Sequence, residues 1–564
     1  MGRPYHKLLV LSVISAVSYV TTPEHRVRVQ AHQQLGSVEK LVRPQALPAE
    51  RPTFALEGTD LLKVPVSENI YEEQRQQIIR YFTKQIAATP AKRDSRWQTD
   101  LSSLDSYMNS VEKHRANLRV MLGLIQPKLG TPKIEVLREE GSMRVADVTI
   151  PIDAGLSARA LCFLPRSSTP GAGMIAIPPA DKSREEFAGI VEGATPAQWL
   201  RTLLANNISV AVPLMVERRD DHPLCRHAGG KDRRRILWRA GFIVGRTLVG
   251  VEVQQVLALK EFLASQGNVD PRRISVIGEG QGGMTALFAG AMDEGVAGVA
   301  AVDYFQQREI CWKEPVDQVL YGQLNEFGDA EVAALVSPRP LEIVHTSRGP
   351  IPAASVKAEF TRAQRFYAAL GKSGELTTLE AEGDPLNTTV LKMASLLAIT
   401  PNRNLPEITI RVPRHKMDEA RNQQFEALLQ YLRGLCDASD QVRTEYWQLN
   451  FTPPEDRPQK VHRLQSELAK LEGVISYEDV PMHPRTALIA ETDKFLAYDV
   501  FLDLVSGVEV YGQLWVPRPV AGHMESRHPA VVCQHGFDGG PKYVSGVGTN
   551  LKPMTTSITD LDNA

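Results

Sequence analysis

The run Ile274-Ser275-Val276-Ile277 leads directly into Gly278-Glu279-Gly280-Gln281-Gly282-Gly283. An apolar strand, a tight glycine turn and a helix start, in that order, hold one residue on a sharp bend with a helix N-terminus aimed at it. In the frame G-x-S-x-G that residue is a serine that attacks a carbonyl carbon, and N–H groups at the helix start stabilise the oxyanion that forms. The flanking glycines stand at Gly278 and Gly282, but the central position is Gly280, which has no side chain to attack anything. The frame of a nucleophile elbow is present without its nucleophile. Glu279 lies inside the turn and could serve as a carboxylate in a re-purposed pocket, although no partner acid or base accompanies it in the sequence.

Other residue groups invite chemistry less strongly. Asp220, Asp221, His222, Cys225 and His227 offer nitrogen and sulfur ligands in a His-x2-Cys-x-His spacing, at the end of a strand where α/β proteins bind ligands. That spacing matches no usual zinc pattern and no second ligand pair follows, so a solvated polar loop is the favoured reading. Lys231, Asp232 and the run Arg233-Arg234-Arg235 could meet a polyanion or an acidic sugar, but a solvated helix start or structural ion pairs explain them better. The sequons Asn387-Thr388-Thr389 and Asn450-Phe451-Thr452 matter only in a cell that glycosylates.

The elements that must position the turn read as alternating strands and helices. Val145–Ile152 and Ala158–Leu164 alternate apolar and polar residues as strands do. Met174–Ile177, Ile208–Pro213 and Ile274–Ile277 are short apolar strands, with helices predicted at Pro196–Leu204 and about Val244–Ala264 between them and another from about Gly283. Val249, Val253, Val256, Leu259 and Leu263 lie on one face of the longer helix. Such alternation predicts a mostly parallel sheet with helices on both faces, an α/β fold. The chain has 564 residues with 64 Lys+Arg against 66 Asp+Glu, a net charge of −2. That length calls for two or more units, and the balanced charge argues against a nucleic-acid binder. Five scattered cysteines without a C-x-x-C pair support neither a disulfide scaffold nor a zinc ribbon. No cofactor or metal is implied.

Asp270-Pro271-Arg272-Arg273-Ile274 before the turn, Phe327-Gly328-Asp329-Ala330-Glu331, and Ser337-Pro338-Arg339-Pro340-Leu341 resemble the α/β-hydrolase superfamily, in its acetyl xylan esterase and dienelactone-hydrolase-like branch. This likeness covers about residues 140–400. A second resemblance begins near Ala497, with Tyr511-Gly512-Gln513-Leu514-Trp515-Val516-Pro517 and Pro529-Ala530-Val531-Val532-Cys533-Gln534-His535-Gly536, and looks like the opening of another such domain. The resemblance implies a tandem protein whose first copy is degenerate and whose second is cut short after its first strands. It also implies an oxyanion turn in the second copy at His535, Gly536 and Phe537, where His535 holds the loop.

The same resemblance tells where the other members of a catalytic triad should stand in the first copy. The acid should follow the strand Leu341–Val344, but the turn reads His345-Thr346-Ser347-Arg348-Gly349-Pro350. The histidine should follow Leu376–Leu379, where Glu380-Ala381-Glu382-Gly383-Asp384-Pro385 stands instead. Ester hydrolysis by a serine needs an attacking oxygen, a base and a group that orients the base. The oxyanion loop, Ile177-Pro178-Pro179-Ala180-Asp181, has two prolines without N–H donors and an acid that would repel an oxyanion. The expectation is a non-catalytic relative of carboxylic-ester hydrolases with a carbohydrate or small ester as its ligand. The alternatives are an active hydrolase with a displaced nucleophile, or a fragment of a longer two-domain esterase.

The chain is expected to divide into a signal peptide at 1–20, a linker or disordered stretch at 21–67, and a helical lead-in at 68–135. A degenerate hydrolase domain at 136–400, a helical connector at 401–475 and the truncated second copy at 476–564 follow. Arg3 and Lys7 ahead of the apolar run Leu8–Val20 fit a secretory signal with a cleavage site near Ala16-Val17-Ser18, which places the protein outside the cytoplasm. The run is too short to span a bilayer comfortably, so no membrane span is expected once the signal is removed.

Overall fold

Strands whose two faces are both apolar must be covered on both sides, and that requirement organises the larger part of this chain. The structure, a computed structural model, describes residues 54–141, 143–167, 169–347, 349–396, 405–448, 456–473, 480–518, 529–534 and 540–549. It forms two compact units, one from residues up to Gln85 together with those from Trp447 to Leu561, the other essentially Ile86–Tyr446. In chain order the elements begin with β1 (Asp60–Leu61), α1 (Ile70–Ala87), α2 (Thr89–Arg96) and α3 (Leu104–Leu122). Then come β2 (Lys133–Glu140), β3 (Met143–Asp153), β4 (Leu156–Pro165), β5 (Gly171–Ile177), α4 (Arg184–Ala188), α5 (Gln198–Ala205) and β6 (Ser209–Pro213). They are followed by α6 (Pro223–His227), α7 (Arg233–Phe242), α8 (Leu248–Ala264), β7 (Val269–Glu279), α9 (Gln281–Met292), β8 (Val299–Val302) and α10 (Asp329–Val336). Next come β9 (Leu341–Thr346), α11 (Ala353–Ala369), β10 (Leu376–Ala381), α12 (Pro385–Leu396), α13 (Arg414–Asp437) and α14 (Ser439–Trp447).

Its nine-stranded sheet has the order β10-β9-β8-β7-β5-β6-β4-β3-β2. The strands from β10 to β6 run parallel, whereas β4, β3 and β2 pair antiparallel. Alternate residues feed two cores. Ile175 and Ile177 of β5 and Val276 of β7 face the core built with α3, α8, α9, α10, α11 and α13, while Met174, Ala176 and Ile277 face the one built with α4, α5 and α12. The fold is therefore α/β with helices on both faces of a mostly parallel sheet, as the alternation predicts. β5 sends its chain to β6 on one side and β6 returns it to β7 on the other. The C-terminal ends of β5 and β7 thus flank the point where strand order reverses, the usual place for a ligand crevice.

The expected domain boundaries fall elsewhere in the structure. The lead-in at 68–135 is divided between the units, because α3 belongs to the sheet unit. Val111, Leu118 and Leu122 are buried in its core, and the Tyr107 hydroxyl donates to Ala334 O at 2.7 Å. The connector at 401–475 is divided too, since Phe425, Leu428 and Leu432 of α13 join that same core. An amphipathic stripe shows only that a helix buries one face, not which unit buries it. In the other unit α15 (Arg457–Glu472) precedes β11 (Arg485–Glu491), β12 (Phe495–Val505) and β13 (Val508–Pro517), an antiparallel meander. β1 adds to its edge through Asp60 and Leu61 against Arg485 and Thr486, so part of the stretch expected as linker is ordered as a strand.

Ala530–Cys533, expected as a strand, is irregular: Val531 and Val532 are 86% and 95% exposed. β propensity yields a strand only where a neighbouring strand supplies its hydrogen bonds. His535, Gly536 and Phe537, the segment 1–20 and Asn450 lie outside the described residues. Among the described residues no helix is long and apolar enough to cross a membrane.

Candidate functional site

β7 ends at Glu279, α9 begins at Gln281, and Gly280 between them adopts φ 54° and ψ −118°. That backbone is the sharp strand-to-helix bend of a nucleophile elbow, sparsely populated for any residue with a Cβ. The three glycines hold it for different reasons. A Cβ on Gly278 would sit 2.0 Å from Gly282 O, and one on Gly282 would sit 2.4 Å from Ile177 O, so both positions are closed by backbone. A Cβ on Gly280 would meet only Pro179 Cβ, at 3.6 Å. Space for a side chain exists at the bend, and the chain does not fill it. Gly280 N donates to Val302 O at 2.8 Å, tying the bend to the end of β8.

The expected oxyanion loop follows β5 directly. Lys182 N donates to Pro179 O and Arg218 N to Ala180 O, while Lys182 Nζ lies 3.7 Å from Glu279 Oε1. Burial raises the Glu279 carboxyl above its ordinary range; Lys182 opposes the shift, and Asp303, Asp181 and Asp384 reinforce it. An oxyanion formed at this bend would develop in the field of those same acids, which is unfavourable.

Asp303 is the residue that sequence reasoning missed. It follows β8 at φ 49°, beside the strand end that carries Glu279, and accepts from Thr346 N at 2.8 Å and from Thr346 Oγ1 at 2.9 Å. The turn after β9, expected to carry an acid and lacking one, is thus held by an acid from the neighbouring strand. The apolar run Val299–Val302 ending in Asp303 was the available signal. Both oxygens of Asp303 are engaged with Thr346. His345 stands at the end of β9 with Nδ1 buried and unbonded. Asp384, in the loop where a histidine was expected, accepts from Leu386 N at 3.1 Å as α12 starts.

The remaining candidates are accounted for locally. His222 Nδ1 accepts from Leu224 N at 3.2 Å, His227 Nδ1 lies 2.9 Å from Pro223 O, and Cys225 is fully buried. These three residues serve the short helix α6 rather than converging on one point. In the arginine run, Arg233 meets Asp221 at 2.7 Å. The fully buried Arg234 bridges Glu252 at 2.5 Å and Asp317 at 2.6 Å. That is a structural ion network rather than a basic surface. Asn387 Oδ1 accepts from Thr202 Oγ1 at 3.2 Å.

No family model matches the chain, and no curated protein matches it in sequence. Similar solved structures include a methylesterase, with 18% identity over 58% of this chain and 72% of that one at a TM-score of 0.41. A glucuronoyl esterase from Solibacter usitatus has 15% identity over 53% and 96% at a TM-score of 0.38. An acetyl xylan esterase from a Thermoanaerobacterium species has 12% identity over 51% and 93% at 0.34. In the Ile86–Tyr446 unit the sheet order and the strand–glycine–helix bend meet at the switch point.

Proposed function

We propose that the Ile86–Tyr446 unit is a non-hydrolytic relative of carboxylic-ester hydrolases. On this reading it keeps the elbow as a ligand-contacting turn and takes a carbohydrate or small ester at the C-terminal edge of its sheet. The observation that carries the reading is Gly280: its backbone is bent as a nucleophile's would be, room for a side chain is open, and no attacking atom is there. Asp303, an acid that reaches the expected turn, is committed to Thr346, and the surrounding carboxylates disfavour an oxyanion. The charged start and apolar run of the N-terminus support export.

The test is hydrolysis of a short-chain aryl acetate by the full chain and by Gly280→Ser, with a serine-directed fluorophosphonate as a second readout. The unmodified chain should neither turn over the ester nor take up the probe, and Gly280→Ser should remain silent. Turnover by the unmodified chain would overturn the reading and point to a displaced nucleophile. Turnover only by Gly280→Ser would mean that a working base and oxyanion hole survive around the bend. Binding of an acetylated oligosaccharide without turnover is the positive sign.

A further inference from the structure

Away from the elbow, the antiparallel part of the sheet carries a cavity of about 700 Å³, within the range of about 300–1,000 Å³ typical of small-molecule sites. Its walls come from β2, β3 and β4, from α4, from α8 and from α13, with the segment 410–413 at one side, and it shares no residue with the elbow. In sheet order β6 and β5 stand between β4 and β7.

The wall chemistry is specific. Arg184, 2% exposed, grips both oxygens of Asp147 at 3.2 and 2.7 Å and donates to Glu185 Oε1 at 2.8 Å. Arg159 reaches the same Asp147 at 2.9 Å. Around the whole lining Lys133, Arg159, Arg184, Arg411 and Lys416 stand against Glu135, Asp147, Glu185 and Glu419, so the charges nearly balance and a ligand need bring little charge of its own. Two acceptors on residues of the lining are left over. Glu185 Oε2 and Gln255 Oε1 are buried without a hydrogen-bond partner, on residues 2% and 3% exposed, although Gln255 Nε2 is used by Ser157 O at 2.9 Å.

Buried acceptors without donors are costly, so the occupant that fits must donate. An anion would face the free oxygen of Glu185, and a cation would face two guanidiniums. A hydroxyl donates to one group and accepts from another, which suits a wall that mixes free acceptors with arginine N–H groups. We propose that this cavity, with Glu185 Oε2 and Gln255 Oε1 as its free acceptors beside Arg159 and Arg184, is a binding site for a neutral polyhydroxylated ligand such as a short run of sugar rings. The site stands whether or not the elbow is silent.

The experiment is saturation-transfer NMR on the full chain with maltotriose, xylotriose and myo-inositol as probes and inorganic phosphate as competitor. At least one polyol should receive saturation, and phosphate should leave that signal unchanged. Gln255→Leu should weaken binding about tenfold, the effect of one lost hydrogen bond. Ala427→Trp, an exposed α13 position on the cavity rim, should abolish it without touching the core, so the test survives if Gln255→Leu fails to fold. Arg272→Ala, an exposed position on β7 outside the cavity, should bind as the unmodified chain does. The proposal is overturned if no polyol binds. It also fails if phosphate displaces the signal or if Ala427→Trp binds normally.

Discussion

Replacing Gly282 by alanine should damage the protein far more than replacing Gly280, although Gly280 alone has the unusual backbone. At Gly280 the cost is conformational. A side chain at φ 54° and ψ −118° is worth about 1–3 kcal/mol of strain, and the new Cβ would find only Pro179, at an ordinary 3.6 Å. Gly282 lies in the first turn of α9, where alanine would by propensity gain about 1 kcal/mol. Its Cβ, however, would lie 2.4 Å from Ile177 O and 2.6 Å from Pro178 O. A carbon–oxygen contact needs about 3.3 Å, so α9 and the end of β5 would have to part by nearly 1 Å. Overpacking of this kind costs about 1–3 kcal/mol where side chains can yield, and more where the obstacle is backbone. The expected losses are about 1–3 kcal/mol for Gly280→Ala and above 3 kcal/mol for Gly282→Ala. Urea denaturation followed by near-ultraviolet circular dichroism reads both. If Gly282→Ala matched the unmodified protein, or if the order were reversed, the close approach of α9 to β5 would be refuted.

Three further outcomes follow from the same interior. Arg234→Met should destabilise by about 3–5 kcal/mol, because it strands the buried Glu252 carboxylate and leaves Asp317 to Arg218 alone; the urea midpoint reports it. Glu279 has a raised folded pKa, so its contribution is fully present below the ordinary glutamate value of about 4.3 and is lost as pH rises through the folded value. Glu279→Gln should therefore be more stable than the unmodified chain at pH 7 and gain nothing below about pH 4; a gain confined to acid would contradict the assignment. Phe425→Ala, at a ring 1% exposed, should cost about 3–5 kcal/mol in the urea midpoint of the sheet unit. An unchanged midpoint would return α13 to the role of a detached connector.

What was legible in the chain was local. Apolar runs of strand length separated by amphipathic helices foretell a parallel sheet, because a strand apolar on both faces can only be buried between helices. Gly278-Glu279-Gly280-Gln281-Gly282 foretells a tight strand-to-helix bend, because only glycine permits backbone approaches of 2.0–2.4 Å at a would-be Cβ. The missing hydroxyl at Gly280 was equally plain, since no packing can supply an atom that the residue lacks.

Tertiary structure alone decided which helices belong to which unit, because the apolar stripes of α3 and α13 do not name the surface they cover. It alone brought Asp303 to the turn after β9, since that contact depends on β8 and β9 pairing as neighbours. The polar cavity also has no signature in sequence. Asp147, Arg159, Arg184, Glu185 and Gln255 are scattered over two strands and two helices and read singly as surface residues. Only their burial around one space turns two of their oxygens into acceptors in want of a donor.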